Sequence, residues 1–259
     1  MDLQLSDFIS AGFFITREVD RPDYLSTDLL PDRLVSASGC ICSCMPDTWC
    51  IEWTQDSQEA RLEDAAAFGL ASEELSVIID WVTPRFGESI RWPNIISELA
   101  TAQELFQRFL DKVLGVRILE LCLHQSMVQE FCTLAEPPPP EPGFAPVGRL
   151  GVHEILLEKR PPASGGMVLG FEPLVFDYML SCSWLCNSLE KELAKALGIK
   201  PNQHGLLNSL SEATKGVDHI SRDDVGAEPG LWLPWLLIDH TTSCKQGVSS
   251  SHLLTSPKK

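Results

Sequence analysis

No run of about 18 consecutive apolar residues occurs in this chain, so the sequence predicts no transmembrane helix. The most apolar stretch, LWLPWLLI at 231–238, is far shorter and contains a proline. The N-terminus, MDLQLSDFIS, has neither the basic n-region nor the apolar h-region of a secretory signal. Both absences point to a cytoplasmic protein. Its nine cysteines are then expected mainly as reduced thiols.

Signatures of chemistry are also missing. There is no HExxH, no HxH, no Walker loop and no GxSxG elbow. The six histidines, at 124, 153, 204, 219, 240 and 252, are scattered. The glycines of GGMVLG (165–170) lead into an extended stretch rather than a helix, which argues against a phosphate loop. No cofactor is expected, and the chain reads away from an enzyme.

Positive charge is scarce. The chain of 259 residues has 20 Lys and Arg against 36 Asp and Glu, a net charge of −16. Residues 1–100 hold 18 acidic and 6 basic side chains, a balance of −12, and the remainder only −4. Such an N-terminal portion repels phosphate backbones, which excludes a nucleic-acid partner. It would speed encounter with a basic protein, or simply keep the chain soluble.

Hydrophobic content is 44% and charged content 22%, the composition of a globular protein. β-Branched and aromatic residues predict strands over 11–19, 32–45, 48–54, 116–124, 149–159, 165–176 and 231–240. Pro234 places the last at a sheet edge or a bulge. Helices are predicted over 57–69, 72–82, 94–115, 181–198 and 209–220. In the second, Leu75, Ile78, Ile79 and Val82 follow helical spacing, with Ser72 as N-cap and Glu73 and Glu74 where the dipole favours negative charge. In the fourth, Cys182, Leu185, Cys186, Leu189, Leu193 and Leu197 form one stripe, and Gly198 suits the C-terminal cap.

Strands and helices cluster rather than alternate, so the expected class is α+β, with a mostly antiparallel or mixed sheet packed by several helices. The stretch EPPPPEPGFAPVG (136–148) carries six prolines and can be neither helix nor interior strand. As a connector or surface loop it divides an acidic N-terminal half (1–135) from a C-terminal α+β half (149–240), which either stands alone or shares one fold with the first. A polar, serine-rich tail (241–259) has the composition of a disordered segment.

Four cysteines fall within GCICSCMPDTWCIEW: Cys40, Cys42, Cys44 and Cys50. On a strand the first three point the same way, about 6.8 Å apart. A tetrahedral zinc site needs sulfurs closing round one ion at about 2.3 Å, usually from a CxxC turn, and no CxxC pair follows. Buried apolar thiols suit the spacing better, with metal binding and redox chemistry as the alternatives. Cys182 and Cys186 lie one helical turn apart on the leucine stripe and read as core. Trp184 lies opposite that stripe and either packs against another element or binds a partner.

Four C-terminal blocks, LGFEPL (169–174), SWLCNSLE (183–190), LGIKPNQHGLL (197–207) and AEPGLWLPWLLID (227–239), together resemble an uncharacterised family of bacterial cytosolic proteins of immunity type. The resemblance covers the last 90 residues or so and implies an interaction protein, with no active-site residues to carry over.

The function the residues favour is therefore non-enzymatic binding of a basic protein partner, such as a toxin, through acidic side chains. Glu59, Glu63, Asp64, Glu73 and Glu74 are the candidate contacts, with Trp184 beside them. The alternatives are an enzyme using Cys50, His153 or Asp177 in a cleft between the halves, and a metal or redox protein built on the four clustered cysteines.

Overall fold

A computed structural model describes residues 3–38, 62, 65, 66, 68–91, 95–134, 150–176 and 181–241. Its centre is one seven-stranded sheet in which every pairing between strands is antiparallel. The strands are β1 (Phe8–Arg17), β4 (Ile90–Arg91), β5 (Ile95–Ile96), β6 (Val116–His124), β7 (Met167–Phe176), β8 (Ser181–Ser183) and β9 (Leu231–Asp239), in the spatial order β4-β5-β1-β6-β9-β7-β8. A separate ladder joins β2 (Val19–Asp20) to β3 (Arg33–Leu34). Among the described residues, six continuous α-helices pack with the sheet: α1 (Ser72–Val82), α2 (Leu99–Leu105), α3 (Gln125–Leu134), α4 (Leu150–Leu157), α5 (Glu190–Leu197) and α6 (Leu210–Ile220). The chain is thus α+β, and strands from both sequence halves share one sheet.

Helices cover both faces of the sheet. Trp232, Leu236 and Ile238 of β9 pack toward α5 and α6. The alternate residues Leu233, Trp235 and Leu237 pack toward α3 and α4. Farther along the first face, Phe13, Ile15 and Ile118 meet Leu75, Ile78, Ala102 and Leu105 of α1 and α2. Burial on both faces explains why the long strands are apolar throughout instead of alternating. Trp235 meets Phe131 edge to face and Phe176 at a tilt, ring centroids 5.2 and 5.1 Å away.

Several elements differ from the sequence expectation, each for a visible reason. Residues 150–157 are helix, not strand: Val152, Ile155 and Leu156 are buried together, a helical spacing that a short apolar run leaves ambiguous. The helix expected over 181–198 begins only at Glu190. Ser181–Ser183 instead extend the sheet beside Leu174–Phe176. Ser183 Oγ accepts from Leu185 N, Trp184 N donates to Pro173 O, and Ser188 takes a positive φ of 55°. Gly198 ends α5 in the left-handed conformation, as predicted.

The helix expected over 94–115 first contributes Ile95–Ile96 to the sheet, then forms α2, and ends in a π-helical turn, Phe106–Leu110. The N-cap of α1 is Ala71, whose N–H is taken by the Glu74 carboxylate at 2.7 Å. Pro234 sits inside the sheet, directly opposite Pro173. It lies two residues beyond the last β6–β9 pair, Cys122↔Leu236, so the strand loses no ladder bond to β6 there.

The cysteine stretch 39–53, the strand at 48–54, the proline segment 136–148 and the tail beyond Thr241 lie outside the described residues. Of the helix expected over 57–69, residues 62, 65, 66 and 68 are described and are helical.

Bulges set the register of β1 and β7. In β1 the bulge falls at Ser10/Gly12, and Gly12 has φ 108°. A Cβ there would lie 2.7 Å from Ile95 Cγ1 and 2.9 Å from Ile155 Cδ1. In β7 the bulge is at Gly170, φ 144°, where a Cβ would meet Leu207 O at 2.7 Å. The outer edge of β7 is closed at this point: Phe171 and Leu207 exchange two backbone hydrogen bonds of 2.8 Å, and Asn202 Nδ2 donates to Leu169 O. Gly12→Ala combines backbone strain with overpacking and should lower stability by roughly 1–3 kcal/mol, read as a shift in the urea midpoint at unchanged slope.

Candidate docking surface

Between β2 and β3 the chain forms a closed loop, RPDYLSTDLLPD (21–32). Prolines at 22 and 31 fix the backbone near its ends, and Arg21 N donates to Asp32 O across the base at 2.7 Å. Leu25 and Leu30 are buried in the cluster that holds Trp184, Leu185, Ile220 and Trp232. Ser26 N donates to the buried Glu190 carboxylate at 3.0 Å. The Arg21 side chain turns inward, donating from Nε to Pro31 O and from its terminal nitrogens to Leu25 O and Asp32.

The result is a rigid loop whose cation faces in and whose acids face out. Side-chain exposure is 12% for Arg21 but 98% for Asp32 and 88% for the adjoining Asp20. Asp23 and Asp28 are exposed as well, and Tyr24 stands partly exposed between them.

A charge network anchors this loop to the sheet. The Arg117 guanidinium on β6 bridges Glu18, just before β2, and Asp239 at the end of β9. Asp239 also accepts from Thr241 N and Oγ, while Thr241 Oγ accepts from Ile118 N. Burial works against the Arg117 charge, but the hydrogen bonds and charges of Glu18 and Asp239 outweigh it and raise its pKa. Arg33 joins from β3, donating to Glu18 O at 3.1 Å and pairing with Asp20 at 3.7 Å.

Of the residues singled out from sequence, Glu73 and Glu74 are exposed in the first turn of α1. Trp184 is fully buried, with its indole N–H lacking a partner among the described residues. It packs in the core and presents no surface to a partner. Cys182 is buried and Cys186 half-buried against the same cluster, as the core reading held. His153 is half-buried on α4. Glu59, Glu63, Asp64, Cys40, Cys42, Cys44, Cys50 and Asp177 lie outside the described residues. The sequence reading missed the aspartates of the 20–32 loop. Its signal was four aspartates within thirteen residues, bracketed by prolines and interrupted by apolar anchors.

Two glutamates of the sheet are fully buried. Glu120 accepts from Ser10 Oγ at 2.7 Å and from Ala163 N, and pairs with His240 Nε2 at 2.9 Å. The order is hydroxyl, carboxylate, imidazole. The imidazole therefore does not reach the hydroxyl, as activation of a serine nucleophile requires, and all three side chains are buried. Glu172 accepts from Ser36 Oγ and from Ala37 N at 2.8 Å. Burial pushes its pKa up to about 7 against the pull of these bonds and one from Ser183. Among the described residues no group of three or more His, Cys, Asp or Glu side chains could hold a metal ion, and no helix is long and apolar enough to cross a membrane.

Comparisons with protein-family models, curated proteins and solved structures returned no match for this chain.

A carboxyl whose folded pKa is raised contributes stability at low pH that is lost as pH climbs through the folded value. For Glu172 the window runs from 4.5 to about 7, and the full shift corresponds to roughly 3 kcal/mol. Urea titrations across this window should show the wild type losing stability relative to Glu172→Gln as pH rises. Parallel pH profiles for the two proteins would contradict that assignment.

Proposed function

We propose that the protein is a non-enzymatic binding protein that docks a basic protein partner through its acidic N-terminal surface, in the manner of an immunity protein covering a toxin. The observation that carries this reading is the 20–32 loop: exposed aspartates and a tyrosine on a backbone already fixed by buried anchors. A preordered loop has little conformational entropy left to lose on binding. The aspartates steer a cationic surface toward it, and tyrosine is a side chain enriched among energetic anchors of interfaces. Glu73 and Glu74 extend the acidic character onto α1, and Glu59, Glu63 and Asp64 stand close by in sequence. The immunity-type resemblance of the C-terminal blocks agrees with such a role, and with a bacterial, cytoplasmic setting.

The test starts with tagged full-length protein in native lysate at low and high salt, to isolate a basic partner released by salt. Association kinetics with that partner should then slow by about tenfold in Asp23→Lys/Asp28→Lys, with a weaker salt dependence. Tyr24→Ala should instead speed dissociation. Unchanged kinetics in all these variants would remove the loop from the interface.

A further inference from the structure

Directly after β3 the chain passes as a buried strap, residues 35–38. Val35 and Ala37 lie in the apolar cluster beneath α3 and α4. Ser36 and Ser38 are fully buried as well. The strap itself carries no ionisable side chain.

Its polar ties converge on one carboxyl. Glu172 of β7 takes the Ser36 hydroxyl and, at 2.8 Å, the N–H of Ala37. Ser36 Oγ in turn accepts from Ser38 N at 2.9 Å. Val35 N donates to His204 O at 3.3 Å, and Ser38 Oγ lies 3.7 Å from Cys186 Sγ.

Leu174 and Phe176 belong to the same cluster as Val35 and Ala37, and strand alternation puts Glu172 on their face. The groups that meet it there are neutral: the strap's hydroxyl and N–H, and Ser183 of β8. Trp235 stands directly opposite on β9. The surrounding elements bring the titratable groups His204, Cys186, Cys132 of α3 and His153 of α4, and among the described residues none of these pairs with Glu172. The acids of α3 and α4, Glu130 and Glu154, are exposed.

A buried carboxyl with no cation beside it resists ionisation, and the strap's donors offset only part of that resistance. β7 is fixed between β9 and β8, whereas the strap belongs to no ladder of the sheet. Lifting the strap is therefore the smallest rearrangement that brings water to the charge.

We infer that the 35–38 strap is a pH-operated latch whose catch is the Glu172 carboxyl. Protonated, the carboxyl stays buried and the strap closes over it. Ionised, it draws in water and the strap opens. Opening separates Ser38 from Cys186 and loosens the end of β3, which the strap directly continues. The latch does not rest on the docking role of the 20–32 loop. The closed strap holds the proton more tightly than the open one. Opening therefore gains as pH rises between the exposed and the buried values of the carboxyl, and levels off above the buried one.

Native-state hydrogen exchange on the full chain reads this at the Ala37 amide. In low urea its exchange should be independent of urea, the mark of a local opening. Its protection, corrected for the intrinsic rate, should fall by about tenfold per pH unit between 4.5 and about 7 and then level. Glu172→Gln should hold it constant across that window. Ser36→Ala removes a donor that favours ionisation and should carry the fall to higher pH, a second reading should the glutamine variant not fold. Exchange of Ala37 only through urea-dependent global unfolding would overturn the latch. So would protection that ignores pH in the wild type, or that falls equally in Glu172→Gln.

Discussion

A sheet covered on both faces has no wet side on which to place polar groups, and this constraint governs the rest of the molecule. Three glutamates are nevertheless fully buried: Glu120, Glu172 and Glu190. Each accepts a backbone N–H from a connecting segment, Ala163, Ala37 and Ser26 respectively, which offsets part of its desolvation. An unpaired carboxylate in such a place would cost several kcal/mol. These bonds therefore act as clasps that fix where three long connections lie against the core. The acidic loop owes its fixed shape to one of them, and the chain entering the cysteine stretch is held by another.

Much of this architecture was legible in the sequence. β-Branched and aromatic runs located β1, β6, β7 and β9, and the 3.6 period located α1. Ser209 caps α6 by accepting from Glu212 N at 3.2 Å, a local arrangement decided by neighbours in the chain. Less legible was whatever depended on distant partners. Residues 181–183 are drawn into the sheet by Leu174–Phe176, overriding a stripe that suits a helix. Pro234 tolerates a central strand because Pro173 faces it on one side and the β6–β9 pairing has already ended on the other. Neither partner can be read from the local sequence.

The site followed the same division. Net charge pointed to an acidic N-terminal surface, but not to which acids stand on an ordered backbone. That depends on Arg21 turning inward and on Leu25 and Leu30 joining the core cluster around β9, α5 and α6. Trp184 drew attention as a side chain outside its stripe, and it is buried in the same core cluster as the loop's anchors.

The borders of the sheet carry one more consequence. The outermost strands β4 and β8 are two and three residues long, and the exposed flank of β7 is occupied by Leu207 and Asn202. Among the described residues, such short outer strands offer an added strand little length to pair with. Among the described residues, association is thereby directed to side chains. Selectivity can then reside in charge and shape, without competition from the indiscriminate backbone pairing that drives proteins of high strand content into aggregates.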